Sequence, residues 1–193
     1  MGLYFQTSVS KRNIDLMISL AKAATDAEVQ AAAAYFSALK PKSIIKVVET
    51  ETVPKTFVAG MFLAAVKMGD KEPIGQRIIE VPEDLHQFEH RDSRSQFMAY
   101  VPVGSVAKGE ALVKTGGAGQ TVPCAICHGP DLKGVGPIPG IAGRSPSYVV
   151  RQLYDFKHGV RAGTGSALMK PAVEKLTLDD MINLAAYAAS LAP

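Results

Sequence analysis

Both cysteines of this chain stand in one short motif, Cys-Ala-Ile-Cys-His at positions 124–128. Thiols three positions apart lie on neighbouring points of one helical turn, and each can form a thioether with one vinyl group of a haem. The next residue, His128, is then held where an imidazole nitrogen can coordinate the iron. The motif therefore predicts covalent attachment of one haem through Cys124 and Cys127, with His128 as a metal ligand.

Two other uses of a cysteine pair are less favoured. A structural zinc site needs four ligands and usually a second Cys or His pair at short spacing, which is missing here. A thioredoxin-like redox pair is expected between a strand and a helix, whereas a glycine-rich, polar stretch at 115–121 precedes this motif.

The chain from about residue 105 to residue 193 resembles a class I c-type cytochrome, and within that class the small bacterial domains found in tandem, of the cytochrome c4 type. Five segments carry the resemblance in the family's order and spacing: 108–113 (first helix), 128–134 (turn after the motif), 139–144 (proline loop), 168–169 (distal segment) and 184–187 (last helix). The resemblance predicts a mainly α class I cytochrome fold for this region, in which the first and last helices cross, and Gly109 would let the first helix approach Tyr187 of the last one closely. It does not by itself explain residues 1–104.

Capping patterns predict helices at both ends of the chain. Thr25-x-x-Glu28 and Thr177-x-x-Asp180 are capping boxes. Ser145-Pro146 is a further helix start, with Ser as the cap and Pro in the first turn.

For the haem site, the resemblance implies that Met169 is the second axial ligand of the iron. Met181 falls inside the last predicted helix and is a better candidate for the core. The resemblance also implies that the backbone carbonyl of Pro139 accepts a hydrogen bond from the Nδ1–H of His128, with Pro137 as the alternative. Arg144 and Tyr148 are then expected near a haem propionate.

The function implied is single-electron transfer by one haem c with His/Met ligation in a respiratory or periplasmic chain, and not enzymatic catalysis. The alternative is a haem-bearing subunit of a larger membrane or periplasmic oxidoreductase, with residues 42–104 as a docking surface. A sensor or a peroxidase-like enzyme would need an open distal position. The partners are electron donor and acceptor proteins, and the location is the periplasm, with the leader peptide absent from this chain.

Composition agrees with a globular protein. The 193 residues are 47% hydrophobic and 20% charged, which excludes wholesale disorder. No apolar run approaches the roughly 20 residues that span a bilayer. The net charge of +3 is too small for a nucleic-acid-binding face.

An internal repeat relates residues 16–41 to residues 168–193 without a gap. Identical residues fall at the distal methionine, the helix cap, the packing tyrosine and the final proline. We therefore interpret residues 1–41 as the C-terminal half of a degenerate or truncated first cytochrome c domain without a haem motif. Met17 would be a ligand-like methionine without iron. The apolar side chains of this half are expected to pack on the connector or on a second copy of the chain, forming a homodimer: Val29, Ala33, Tyr35, Phe36 and Leu39.

Residues 42–104 read as an extended connector with one or two short β-pairings, because β-branched runs alternate with Pro and Gly. Segment 61–66 is either a hairpin or a helical turn, and Met61 and Met98 are expected to be packing residues rather than haem ligands. The pair His86 and His90 has helical spacing but more often marks a solvated face than a metal site, and His158 is expected at a helix end.

Overall fold

The computed structural model describes residues 19–67 and 69–193. The chain divides into two compact units, residues 1–41 and residues 42–193. Met17 of the internal repeat lies outside the described residues.

The first unit contains helix α1 (Asp26–Ala38). It begins with the predicted capping box, in which the Thr25 hydroxyl accepts from the Glu28 backbone and the Glu28 carboxylate accepts from the Thr25 backbone. Each satisfies one of the N–H groups that a helix start leaves unpaired. All of its residues are exposed, and Tyr35 and Phe36 meet edge to face with ring centroids 5.3 Å apart.

The second unit combines strands and helices. In chain order its elements are β1 (Ile45–Glu49), β2 (Thr52–Pro54), β3 (Thr56–Ala59), β4 (Phe62–Ala65), β5 (Lys71–Pro73), β6 (Ile79–Pro82), α2 (Leu85–Glu89), β7 (Phe97–Val101), α3 (Ser105–Thr115), α4 (Ala125–His128), α5 (Pro146–Lys157), a 3₁₀ helix (Thr164–Leu168), α6 (Lys170–Val173) and α7 (Leu178–Ser190).

Local capping signals explain where the main helices begin. The Ser145 hydroxyl accepts from the Tyr148 backbone and Pro146 occupies the first turn of α5, a position where its missing N–H costs nothing. Thr177 and Asp180 form the predicted capping box at the start of α7. The helices expected at both ends of the chain are therefore confirmed.

Helices α3 and α7 pack closely against each other, and the contact depends on Gly109. A Cβ atom built on this residue would lie 2.0 Å from the carbonyl oxygen of Asn183 and 2.8 Å from the Cβ of Tyr187. Only a residue without a side chain allows the two backbones to approach so closely. The crossing is surrounded by a buried cluster: Leu112, Val113, Leu132, Ala142, Val173, Leu176, Met181, Leu184, Tyr187 and Ala188.

Residues 42–104 contain more β-structure than the sequence predicts. The described residues form seven strands in three sheets, where we expected one or two pairings. In the largest sheet, β1 pairs parallel to β7 and β6 pairs antiparallel to β7. Ile45 and Ala99 of this sheet share a buried cluster with Ala189 of α7. The sheet therefore packs on the last helix.

Segment 61–66 belongs to a hairpin, since β3 and β4 pair antiparallel with Ala59 opposite Phe62. Phe62 packs edge to face on Phe88, with ring centroids 4.7 Å apart. Met61 was expected to be a packing residue, and this is wrong. Its side chain is 96% exposed, because it lies in the two-residue turn of the hairpin, beyond the last pair of the ladder.

Within residues 19–67 and 69–193, no helix has the length and apolar character needed to cross a lipid bilayer.

Candidate haem site

The haem motif forms one helical turn. Helix α4 follows directly after Cys124, whose carbonyl accepts from the backbone N–H of Cys127 at 3.2 Å and of His128 at 2.9 Å. These bonds fix the backbone of the two cysteines and the histidine relative to one another. Gly129 ends the turn with φ 85° and ψ 158°.

The ring of His128 is buried and oriented. Its Nδ1 lies 2.8 Å from the carbonyl oxygen of Pro139, and Pro137 is not its partner. A carbonyl oxygen only accepts, so Nδ1 carries a proton, and in the neutral ring Nε2 keeps the lone pair that a metal needs. Metal-bound histidines usually have their second nitrogen engaged in this way, which fixes the tautomer and raises the basicity of the ligating nitrogen.

A tightly folded loop brings Pro139 to the histidine. The Gly134 backbone donates to the His128 carbonyl at 2.8 Å, and the Ile141 backbone donates to the carbonyl of the fully buried Leu132 at 2.8 Å. Gly134 has φ 94°, and a Cβ there would lie 2.7 Å from the Gly140 nitrogen. The loop therefore cannot be rebuilt with a side chain at this position without moving the acceptor of the histidine.

The two thiols differ in environment. Both are free, with Cys124 half-buried and Cys127 exposed. Burial raises the pKa of the Cys124 thiol to about 11, so this group is uncharged near neutral pH and poorly nucleophilic by itself.

Met169 lies at the edge of the same core as the motif. Cys124 and Met169 both pack against the buried cluster around Leu132, and so do Val150, Leu153 and Tyr154 of α5. Met169 ends the 3₁₀ helix and immediately precedes α6, and its carbonyl accepts from Val173 at 3.1 Å. Met181, by contrast, is 2% exposed within α7.

This set of groups fits a haem c. One imidazole has a free Nε2, two thiols are unpaired, and a thioether lies among apolar side chains of the same core. Imidazole and thioether are the axial ligands of many c-type haems.

Arg144 and Tyr148 are both exposed, and their placement beside a propionate stays a prediction. Two neighbours of this region were missed by the sequence analysis. The Arg151 guanidinium lies 5.3 Å from the centre of the Tyr148 ring, and Glu80 accepts from the Ser145 hydroxyl. Tyr148 and Arg151 are three residues apart, about one helical turn, and this spacing could have predicted their contact. No local signal in the sequence predicts the contact between Glu80 and Ser145.

The remaining histidines lie on the surface. His86 and His90 are exposed, their ring centroids are 4.1 Å apart, and His90 Nδ1 is bonded to the His86 carbonyl. His158 is the C-cap of α5 and lies against Tyr154. Over the described part of the chain, no three His, Cys, Asp or Glu residues are grouped to hold a metal ion.

Comparison with known proteins identifies the family. No family model matches the chain. Cytochrome c-554(548) of Halomonas halodenitrificans is 34% identical over 88 residues, which cover 45% of this chain and 96% of the relative. The chain belongs to the class I c-type cytochromes.

Two further relatives match this cytochrome in part. Cytochrome c4 of Azotobacter vinelandii is 30% identical over 137 residues, covering 64% of this chain and 65% of the relative. The cytochrome subunit of sulfide dehydrogenase of Chlorobaculum tepidum is 37% identical over 67 residues, covering 34% and 61%. The cytochrome thus spans less than two thirds of either relative. The comparisons show that this cytochrome resembles the c4 type. They also support its class, an electron-transfer protein with covalent haem c.

Proposed function

We propose that this cytochrome is a single-electron carrier with one haem c, attached to Cys124 and Cys127 and ligated by His128 and Met169, in a periplasmic respiratory chain. The observation that carries the proposal is the buried His128 ring, which directly follows two free thiols and has its Nδ1 bonded to Pro139. Nε2 is then the only ring nitrogen available to a metal.

The haem would supply one-electron chemistry, and the residues of the chain would set its properties. His128, with Nδ1 donating to a carbonyl, is a strong and fixed nitrogen ligand. Met169 offers a thioether, which favours the reduced iron and raises the potential. If His128 and Met169 both ligated the iron, no coordination site would be left for a substrate, and this would favour a carrier over an enzyme.

A subunit of a larger oxidoreductase is the second candidate. The observation that favours it is the partial match to a relative named as the cytochrome subunit of a sulfide dehydrogenase. In that case residues 42–104 would provide the docking surface.

A homodimer through residues 1–41 stays a prediction. It is supported by the exposed side chains of α1, and light scattering on the full chain and on a version starting at Ser43 would test it.

A redox cycle of the purified chain separates the two functions. For a free carrier we expect full reduction by dithionite and full reoxidation by a soluble one-electron acceptor, with one electron per haem and no added protein. A subunit would exchange electrons efficiently only after its partner is added, and that result would contradict the carrier proposal.

A further inference from the structure

Three side chains from residues 42–104 reach the first turns of the three main helices of the second unit. Glu49 Oε1 accepts from the Val106 backbone in α3 at 2.8 Å. Glu80 Oε2 accepts from the Ser145 hydroxyl at the start of α5 at 2.7 Å. Gln76 Nε2 donates to the Asp179 carboxylate in α7 at 2.5 Å. The segment is therefore joined to the helices at defined points.

The contact at α5 is the most developed of the three. The Ser145 hydroxyl accepts from the Tyr148 backbone at 3.2 Å and donates its own hydrogen to Glu80. Glu80 Oε2 also lies 3.4 Å from the Ser147 backbone nitrogen. A carboxylate at a helix N-terminus is further stabilised by the helix dipole. Glu80 thus fixes both the hydroxyl rotor of the cap and the start of the helix.

The backbone of Glu80 is held by strand pairing and by buried neighbours. It lies in β6 between Ile79 and Val81, which are 6% and 3% exposed. Its backbone pairs with Ala99 of β7, the central strand of the sheet. The carboxylate therefore projects from a strand that is paired and anchored by buried neighbours.

Ser145 lies in the chain between two segments that affect the proposed axial ligands. One contains the hydrogen-bond partner of His128, and the other packs against the helix that follows Met169. On its N-terminal side is the loop with Pro139, the hydrogen-bond partner of His128. On its C-terminal side is α5, which packs against α6, the helix that begins directly after Met169. A displaced start of α5 would move both segments.

We propose that Glu80 is a positioning residue for the haem ligands: by fixing Ser145 it holds the start of α5, and through α5 it holds the Met169 segment in place for ligation. This inference rests on the proposed Met169 ligation. It predicts that loss of Glu80 weakens the bond between methionine and iron while the protein stays folded.

The test is a titration of the oxidised full-length protein with imidazole, followed by the loss of the sulfur-to-iron charge-transfer absorption. Imidazole binds only when Met169 is released, so its apparent affinity scales with the released fraction. Loss of a helix-capping interaction typically changes an equilibrium constant about five- to tenfold, and we expect Glu80→Ala to raise the imidazole affinity by about this factor. Ser145→Ala should give a similar rise, and the double variant no more than either single one.

Two matched variants separate the effect of the Glu80–Ser145 hydrogen bond from the effect of the negative charge of Glu80. Glu80→Gln keeps an acceptor for the Ser145 hydroxyl and should stay close to the wild type. Glu83→Ala removes the same charge from a nearby exposed residue whose side chain has no hydrogen bond or ion pair with the described residues, and should leave the affinity unchanged.

An imidazole affinity that stays at the wild-type value in Glu80→Ala would overturn the inference, even if the unfolding midpoint fell, since the role would then be structural only. An equal rise in Glu80→Gln and Glu83→Ala would overturn it in favour of a charge effect. Absence of the charge-transfer band from the wild type would instead overturn the Met169 ligation, and the inference with it.

Discussion

Met169→Ala is expected to abolish the sulfur-to-iron charge-transfer absorption and to lower the haem midpoint potential by on the order of 100 mV. Axial ligation shifts haem potentials over a span of about 0.8 V, and methionine in place of a harder ligand raises the potential because it stabilises the reduced iron. The open position should then bind carbon monoxide in the reduced protein. An optical redox titration, with and without carbon monoxide, measures both effects.

The matched control is Met181→Leu. Met181 is 2% exposed in α7, and exchange for a residue of similar volume usually costs less than about 1.5 kcal/mol. Its spectrum and potential should equal those of the wild type. If Met169→Ala kept the charge-transfer band while Met181→Leu lost it, Met181 would be the ligand and our assignment would be wrong.

Gly109→Ala is expected to reduce the free energy of unfolding by on the order of 3 kcal/mol. The added Cβ would lie 2.0 Å from the Asn183 carbonyl oxygen and 2.6 Å from its carbon. These are backbone atoms of a helix, so no side-chain rotation can relieve the clash, and α3 and α7 must separate. Overpacking of this kind costs about 1–3 kcal/mol and occasionally more. Urea unfolding followed by circular dichroism measures the loss.

Gly165→Ala is the control for this change. A Cβ at Gly165 would have no atom within 4 Å, and its φ lies outside the left-handed range. Substitutions at such sites usually change stability by less than about 0.5 kcal/mol. Equal unfolding midpoints for Gly109→Ala and the wild type would show that the helix crossing does not depend on the glycine.

Sequence reasoning was most successful where the determining signal is local. The starts of α1, α5 and α7 follow from Thr25, Ser145 and Thr177, each of which bonds a backbone group within the next three residues. The close approach at Gly109 was also anticipated, because the family resemblance predicts that the first and last helices cross there.

The β-structure could not be predicted to the same extent, since its pairing is not local. β1 pairs with β7, and residues 50–96 lie between the two strands in the chain. The sequence of a short strand does not indicate which distant strand it pairs with. The same applies to Glu80 and Ser145, which are 65 residues apart in the chain. Met61 was wrongly expected to be packed, because an apolar residue in a hairpin turn has the same local pattern as one in a strand.

The mass of the intact, denatured full-length chain tests the central claim most directly. After acid–organic extraction of free haem, thioether bonds at Cys124 and Cys127 should keep one haem on the chain, and the measured mass should equal that of the polypeptide plus one haem. The mass of the polypeptide alone would contradict covalent attachment, and with it the assignment of this site.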